Sequence, residues 1–198
     1  MRKTARFLWE KGFTLVELLI VIALIGVLAV AVLAAINPLE QLNRARDTGM
    51  ESDASQLLAA IDRYYASQEK FPWVACSGCT AKNEDALVMI SAADATIGVC
   101  GATSCTDGSG LLLAQYELKS EFQNRKFIKA TDDVDKLWMG KEAGASSSVY
   151  ACWVPTSQAK RVQATKDPNA GIPDTSGTPC VATDWGTLAS ACFICIPR

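Results

Sequence analysis

The chain has 198 residues, 20% of them charged and 49% apolar, with a formal net charge of −2 from 19 basic and 21 acidic side chains, which is material for one ordinary domain. The first twelve residues hold Arg2, Lys3, Arg6 and Lys11 against Glu10 alone, so the remaining chain carries −5; wrapping nucleic acid needs clustered Lys and Arg, and only a local basic patch stays open for it. No histidine is present, which removes the commonest general base and metal ligand and with them the usual Ser-His and Cys-His triads. No other catalytic constellation stands out, and the chain does not read as an enzyme.

From Phe13 to Ile36 run 24 residues, FTLVELLIVIALIGVLAVAVLAAI, with a single charge, Glu17. At about 1.5 Å rise per residue, a helix of this stretch is about 36 Å long, enough to cross a hydrocarbon core of about 30 Å. The basic leader favours residues 1 to 12 staying in the cytoplasm while the rest is exported. A secretory signal peptide fits poorly, because its apolar core spans about 7 to 15 residues before a small-x-small cleavage site. A plain signal anchor leaves Glu17 unexplained, since a carboxylate at membrane depth is costly and usually has a partner.

The run Lys11-Gly12-Phe13-Thr14-Leu15-Val16-Glu17-Leu18-Leu19-Ile20 resembles, nearly letter for letter, the processing and methylation site of type IV pilins and type II secretion pseudopilins. The resemblance implies that prepilin peptidase cuts after Gly12 and methylates the new N-terminus at Phe13, and that Glu17 serves assembly. The chemistry of each position agrees. Gly12 has no side chain to obstruct a peptidase at the membrane face. Cleavage turns Phe13 into a cationic amine that can pair with the Glu17 carboxylate of an adjacent subunit, making a buried charge an assembly register. The implied partners are copies of the chain and other pilins through the N-terminal helix, the prepilin peptidase, an inner-membrane assembly platform, and lipid before assembly. The implied location is a single pass through the inner membrane with the head extracytoplasmic, then a pilus, a pseudopilus or the cell surface.

Asn37-Pro38 marks a helix break with two readings: proline at the first position of a second helix, or a kink or melted stretch in one long helix. Beyond it, Leu39, Leu42, Ala45 or Arg46, Met50, Ala54, Leu57, Leu58, Ile61, Tyr64 and Tyr65 recur at three- and four-residue steps, with Glu40, Arg44, Asp47, Glu51, Asp53 and Arg63 mostly between them, the pattern of a helix packing one face on a domain. Phe71-Pro72 ends it. A continuous stalk of this kind is about 80 Å long.

In the head, residues 84 to 95 read as a short helix and Gly110 to Phe122 as helix ahead of strand. KLWM at 136–139 and SSVYACWV around a turn at 140–147 read as a hairpin, residues 165 to 180 as turn-rich, and ACFICI at 191–196 as a last strand. The expected fold class is α+β: a long N-terminal α-helix, apolar in the half that spans the membrane or filament core, packed on a small antiparallel β-sheet head with disulfide-tied loops. The expected divisions are a cleaved leader (1–12), the transmembrane or filament-core helix (13–36), its amphipathic half (37–70) and a cysteine-rich head (71–198).

Eight cysteines, Cys76, Cys79, Cys100, Cys105, Cys152, Cys180, Cys192 and Cys195, suit disulfides in an oxidising compartment. A tetrahedral zinc site on Cys76, Cys79, Cys100 and Cys105 is the competing reading, disfavoured by export past oxidants. Connectivity does not follow from sequence; the short disulfide loops of pilin heads imply a link between Cys180 and Cys195 that ties the C-terminal tail to the sheet. No cofactor is expected. Calcium is the one candidate, because Asp167, Asn169 and Asp174 put oxygen ligands in a loop of the kind that binds it in some pseudopilins, although Asp-Pro-Asn-Ala-Gly is also ordinary turn chemistry. The leading functional expectation is a structural subunit that is processed and polymerises into a type IV pilus-like filament or secretion pseudopilus. The alternative is a membrane-anchored extracytoplasmic binding or adhesion module, displaying tryptophans such as Trp73, Trp138, Trp153 and Trp185, that does not polymerise.

Overall fold

The computed structural model describes residues 12–75, 86–102, 105, 109–144, 147–166 and 184–197. Contacts divide the chain into two units, with the boundary between Leu39 and Glu40.

The first unit is dominated by helix α1, Leu15–Ala35. Its residues are apolar on every side, with a mean hydropathy of 3.1 over Leu15–Leu33, and none of that stretch is buried. Among the described residues it is the single helix long and apolar enough to cross a membrane. Ile36 leaves helical conformation (φ −99°, ψ 120°), and α2, Pro38–Gln68, opens with proline in the first helical position, where its missing N–H removes no helical bond.

The second unit packs one stripe of α2 against a sheet. Met50, Ala54, Leu57, Ile61 and Tyr64 are buried at alternating steps of four and three, as the sequence pattern predicts; Leu39 and Leu42 are exposed. The sheet has four antiparallel strands in the order β1 (Leu87–Ser91), β2 (Trp138–Lys141), β3 (Val149–Trp153) and β4 (Ile194–Ile196). Strand periodicity sorts its side chains cleanly. Val149, Ala151, Trp153 and Ile194 join the core with α2, whereas Cys152, Val154 and Phe193 form a smaller cluster. Gly140 lies opposite Tyr150 in the β2–β3 register, and the tyrosine ring occupies the space a β-carbon would need, 2.5 Å away.

Three elements differ from the sequence reading. Of the helix expected at 84–95, the described residues, 86–95, do not form one: Leu87–Ser91 is β1, followed by a single 3-10 turn at Ala95–Ile97. Their apolar run is satisfied by pairing with β2 across a register shift between Leu87 and Ile90. Gly110 to Phe122 is helical only in short pieces, α4 (Leu111–Ala114) and a 3-10 turn beginning at Ser120. Gln158–Lys166 forms a helix, α5, that hydrophobic periodicity did not announce; α3, Pro72–Ala75, is a single turn.

The start of α5 is held by α2. Asp47, 1% exposed, accepts hydrogen bonds at Oδ1 from Thr156 N (2.9 Å) and Thr156 Oγ1 (2.8 Å), and at Oδ2 from Ser157 N (2.8 Å) and Ser157 Oγ. Glu40 accepts from Gln158 N at 3.0 Å, and Ser157 Oγ faces the Lys160 amide at 3.4 Å. Two carboxylates thus meet the unpaired amides and positive end of a helix dipole. The periodicity had set Asp47 among the polar positions; it is buried because its donors come from a segment 109 residues away.

Removing these acceptors strands several buried donors. Asp47→Ala is expected to destabilise the head by about 3 kcal/mol, a melting-temperature loss of about 6 to 12 °C for a domain of this size, measured by thermal denaturation. The Gln158 amide, with Arg44 beside it, holds the Glu40 carboxyl below its ordinary value of 4.5. The stability it contributes is therefore complete above that value and is lost as pH falls through the lower folded value. Glu40→Gln is expected to flatten the acid limb of a stability-versus-pH curve; an unchanged limb counts against this role.

Candidate functional site: the N-terminal capping segment

The segment that carries the chemistry is Gly12 to Glu17, where the chain enters α1. Gly12 and Phe13 precede the helix in exposed backbone, Phe13 being 83% exposed, and no heavy atom lies within 4 Å of a β-carbon built on Gly12. Thr14 is the N-cap (φ −77°, ψ 150°). Its hydroxyl accepts from Glu17 N at 3.2 Å, and Glu17 returns across the turn: Oε2 accepts from Thr14 N at 2.9 Å and from Thr14 Oγ1 at 2.8 Å. This is a complete capping box. It satisfies donors at the helix start and gives the one carboxylate of the apolar run two hydrogen bonds within its own chain. Both of these bonds fall on Oε2.

Residues 10–33 match the family model of the prokaryotic N-terminal methylation motif. The chain carries the signature of type IV pilins and pseudopilins, which accounts for Gly12, Phe13 and Glu17 standing together at the head of an apolar helix. No curated protein and no solved structure matches the chain.

The cysteines fall into distinct environments. Cys100 bonds Cys105 across a sequence separation of 5, and Cys152 bonds Cys195 across 43. The proposed link between Cys180 and Cys195 is therefore corrected. Cys195 lies directly opposite Cys152 in the β3–β4 register, with Cα atoms 4.1 Å apart, and strand pairing rather than tail geometry selects its partner. The zinc reading loses two of its thiolates to the bond between Cys100 and Cys105. Cys192 is also disulfide-bonded. Cys76, Cys79 and Cys180 lie outside the described residues, as do the calcium candidates Asp167, Asn169 and Asp174. Of the tryptophans considered for a display surface, Trp73 and Trp153 are fully buried, while Trp138 and Trp185 are partly buried, Trp185 with the Arg161 guanidinium 4.8 Å from its ring centre.

What sequence reasoning missed at the N-terminus is Thr14. Its signal was present: Thr14-Leu15-Val16-Glu17 is a Thr-x-x-Glu pattern before an apolar run, the spacing of a capping box. An N-cap hydroxyl contributes about 1 kcal/mol, roughly a fivefold change in local opening. In detergent micelles the Glu17 amide of Thr14→Val is expected to exchange about fivefold faster than in the parent, with Thr14→Ser close to the parent. Equal rates in all three chains remove the box as a stabilising element.

Proposed function

We propose that this chain is a structural subunit of the type IV pilin and pseudopilin kind. It is inserted through α1, cut after Gly12 by prepilin peptidase and methylated at Phe13, and it polymerises through residues 13–36 with its head outside the cytoplasm. The observation that carries this reading is the coincidence of the methylation motif at residues 10–33 with a helix whose span from Leu15 to Leu33 is entirely unburied. Such a surface needs lipid first and other apolar helices afterwards, because outside the bilayer water is its only alternative neighbour.

Cleavage exposes an amine at Phe13. In the polymer that cation meets the Glu17 carboxylate of an adjacent copy, while Thr14 holds Glu17 until the exchange. The chain needs no active site of its own for this role, since the cutting and methylating are performed on it. Assembly follows contact with a membrane platform, and calcium binding by Asp167, Asn169 and Asp174 is tested by a calcium-dependent melting shift.

Two substitutions separate the steps. Gly12→Val is expected to insert normally and accumulate as a precursor longer by the twelve leader residues, seen by mass spectrometry. Glu17→Ala is expected to be inserted and cleaved, yet to give roughly tenfold less sheared filament, in line with loss of a buried charge pair. Full filament yield from Glu17→Ala sinks the register role of the carboxylate, and a mature parent chain retaining residues 1–12 sinks the processing step.

A further inference from the structure

We propose that the groove between α2 and residues 125–135 binds an anionic phospholipid, its phosphate on Lys126 and Lys129 and an acyl chain along the apolar floor. The inference rests on α1 being a membrane anchor and owes nothing to polymerisation.

The groove lies within the second unit and encloses about 870 Å³. Its floor is apolar, with Leu42, Met50 and Phe127 among the lining residues. Among the described residues four cations line it as well, and they are not equally matched. Arg46 pairs with Asp135, and Arg125 with Asp53 at 3.4 Å. Lys129 Nζ donates to the neutral Asn124 Oδ1 at 2.8 Å, and Lys126 has no ion pair among the described residues. Both lysines are exposed. Their charges are left over, in a chain that carries −5 beyond its leader.

The groove is open because α2 has no side chain at Gly49. That residue lines it, and no heavy atom lies within 4 Å of a β-carbon built there. Glycine inside a helix is less favourable than any residue but proline, and no described neighbour requires it at this position. The missing side chain weakens the helix and serves only an occupant of the groove.

An apolar floor under unmatched ammonium groups suits an amphiphilic anion. Lysine is a compact point charge that binds phosphate, and an acyl chain removes apolar surface from water. Nucleic acid fits less well, because a polyanion meets a net-acidic chain. Phe127, the one aromatic lining the groove among the described residues, is 1% exposed, which leaves bases no ring to stack on. A phospholipid is also at hand. Thirteen residues separate Leu33, the last of the apolar span, from Arg46. With residues 38–46 helical, their reach is at most about 30 Å at any angle between the two units. A cation held near an anionic membrane strengthens attachment roughly fivefold.

The test uses the full chain in neutral detergent, with lipid added and the bound fraction read by native mass spectrometry. Phosphatidylglycerol is expected to bind about tenfold more tightly than phosphatidylcholine. The double variant Lys126→Gln with Lys129→Gln should lose that preference. Gly49→Leu should lose it too while melting about 2 to 4 °C higher, because leucine favours the helix, so its loss of binding is not loss of fold. The proposal is overturned by equal binding of the two lipids to the parent, or by an unchanged preference in either variant. It is overturned equally by soluble glycerol phosphate competing as well as the lipid, which makes the site one for free phosphate, or by a short oligonucleotide displacing the lipid at lower concentration. A parent chain that alkaline carbonate strips from membranes overturns the anchor reading instead, before any lipid is added.

Discussion

The structure depends on a surface that cannot be left in water. From Leu15 to Leu33 every side chain of α1 is outside any core, and most are Leu, Ile, Val or Ala. At roughly 25 cal/mol per Å² of apolar surface, leaving such a helix hydrated is untenable, so its environment must be lipid or other helices. A helix apolar on all sides gives neither environment a preferred orientation or depth. Glu17 breaks that degeneracy because it is the one charge in the run. Thr14 makes the charge tolerable by closing a capping box on it, and a carboxylate bonded through a single oxygen keeps capacity for a further donor.

In the second unit α2 is the hub, tied on both flanks by polar contacts to distant segments. On one flank Glu40, Asp47 and Glu51 reach residues 156–160, including Lys160 Nζ to Glu51 Oε2 at 2.8 Å. On the other, Arg46 pairs with Asp135, Asp53 with Arg125 at 3.4 Å and Arg63 with Glu117 at 2.9 Å. These ties are unequal. The exposed pairs contribute little individually, and burial pushes the Asp53 carboxyl upward despite Arg125, so that group opposes folding at neutral pH. Asp47 differs because it is buried and takes four donors at once, which makes it the polar contact that fixes where α5 begins.

How much of this was legible in the sequence follows the range of the forces involved. The apolar helix, the break before Pro38 and the buried stripe from Met50 to Tyr64 are set by neighbours a few residues away, and composition and periodicity announced them. Leu87–Ser91 was legible as apolar but not as a strand, because its partner β2 lies about fifty residues on and pairing overrode local propensity. Helix α5 buries only Ala164, so periodicity had nothing to register; its start was written in Thr156-Ser157 as cap chemistry instead. Asp47 was illegible because its donors lie 109 and 110 residues away, and Lys141 because it is buried beside the distant Phe71 ring even though the carbonyls it donates to are local. Lys141 is 2% exposed, donating to Glu142 O at 3.1 Å and Gly144 O at 2.7 Å beside the Phe71 ring. A charged residue is expected outside unless its distant partners are known.

The disulfides complete the head where packing falls short. The α2 side of the sheet is sealed by a large continuous core, but the cluster formed by Cys152, Val154, Ala191 and Phe193 has four buried members. It meets β4, a three-residue edge strand whose ladder is too short to hold itself. The Cys152–Cys195 bond falls on that strand, at the register position where the two residues already face each other. Closing a loop of 43 residues removes more freedom from the unfolded chain than the five-residue loop at Cys100–Cys105. The C-terminal strand is thus secured by covalent chemistry that forms only where thiols are oxidised.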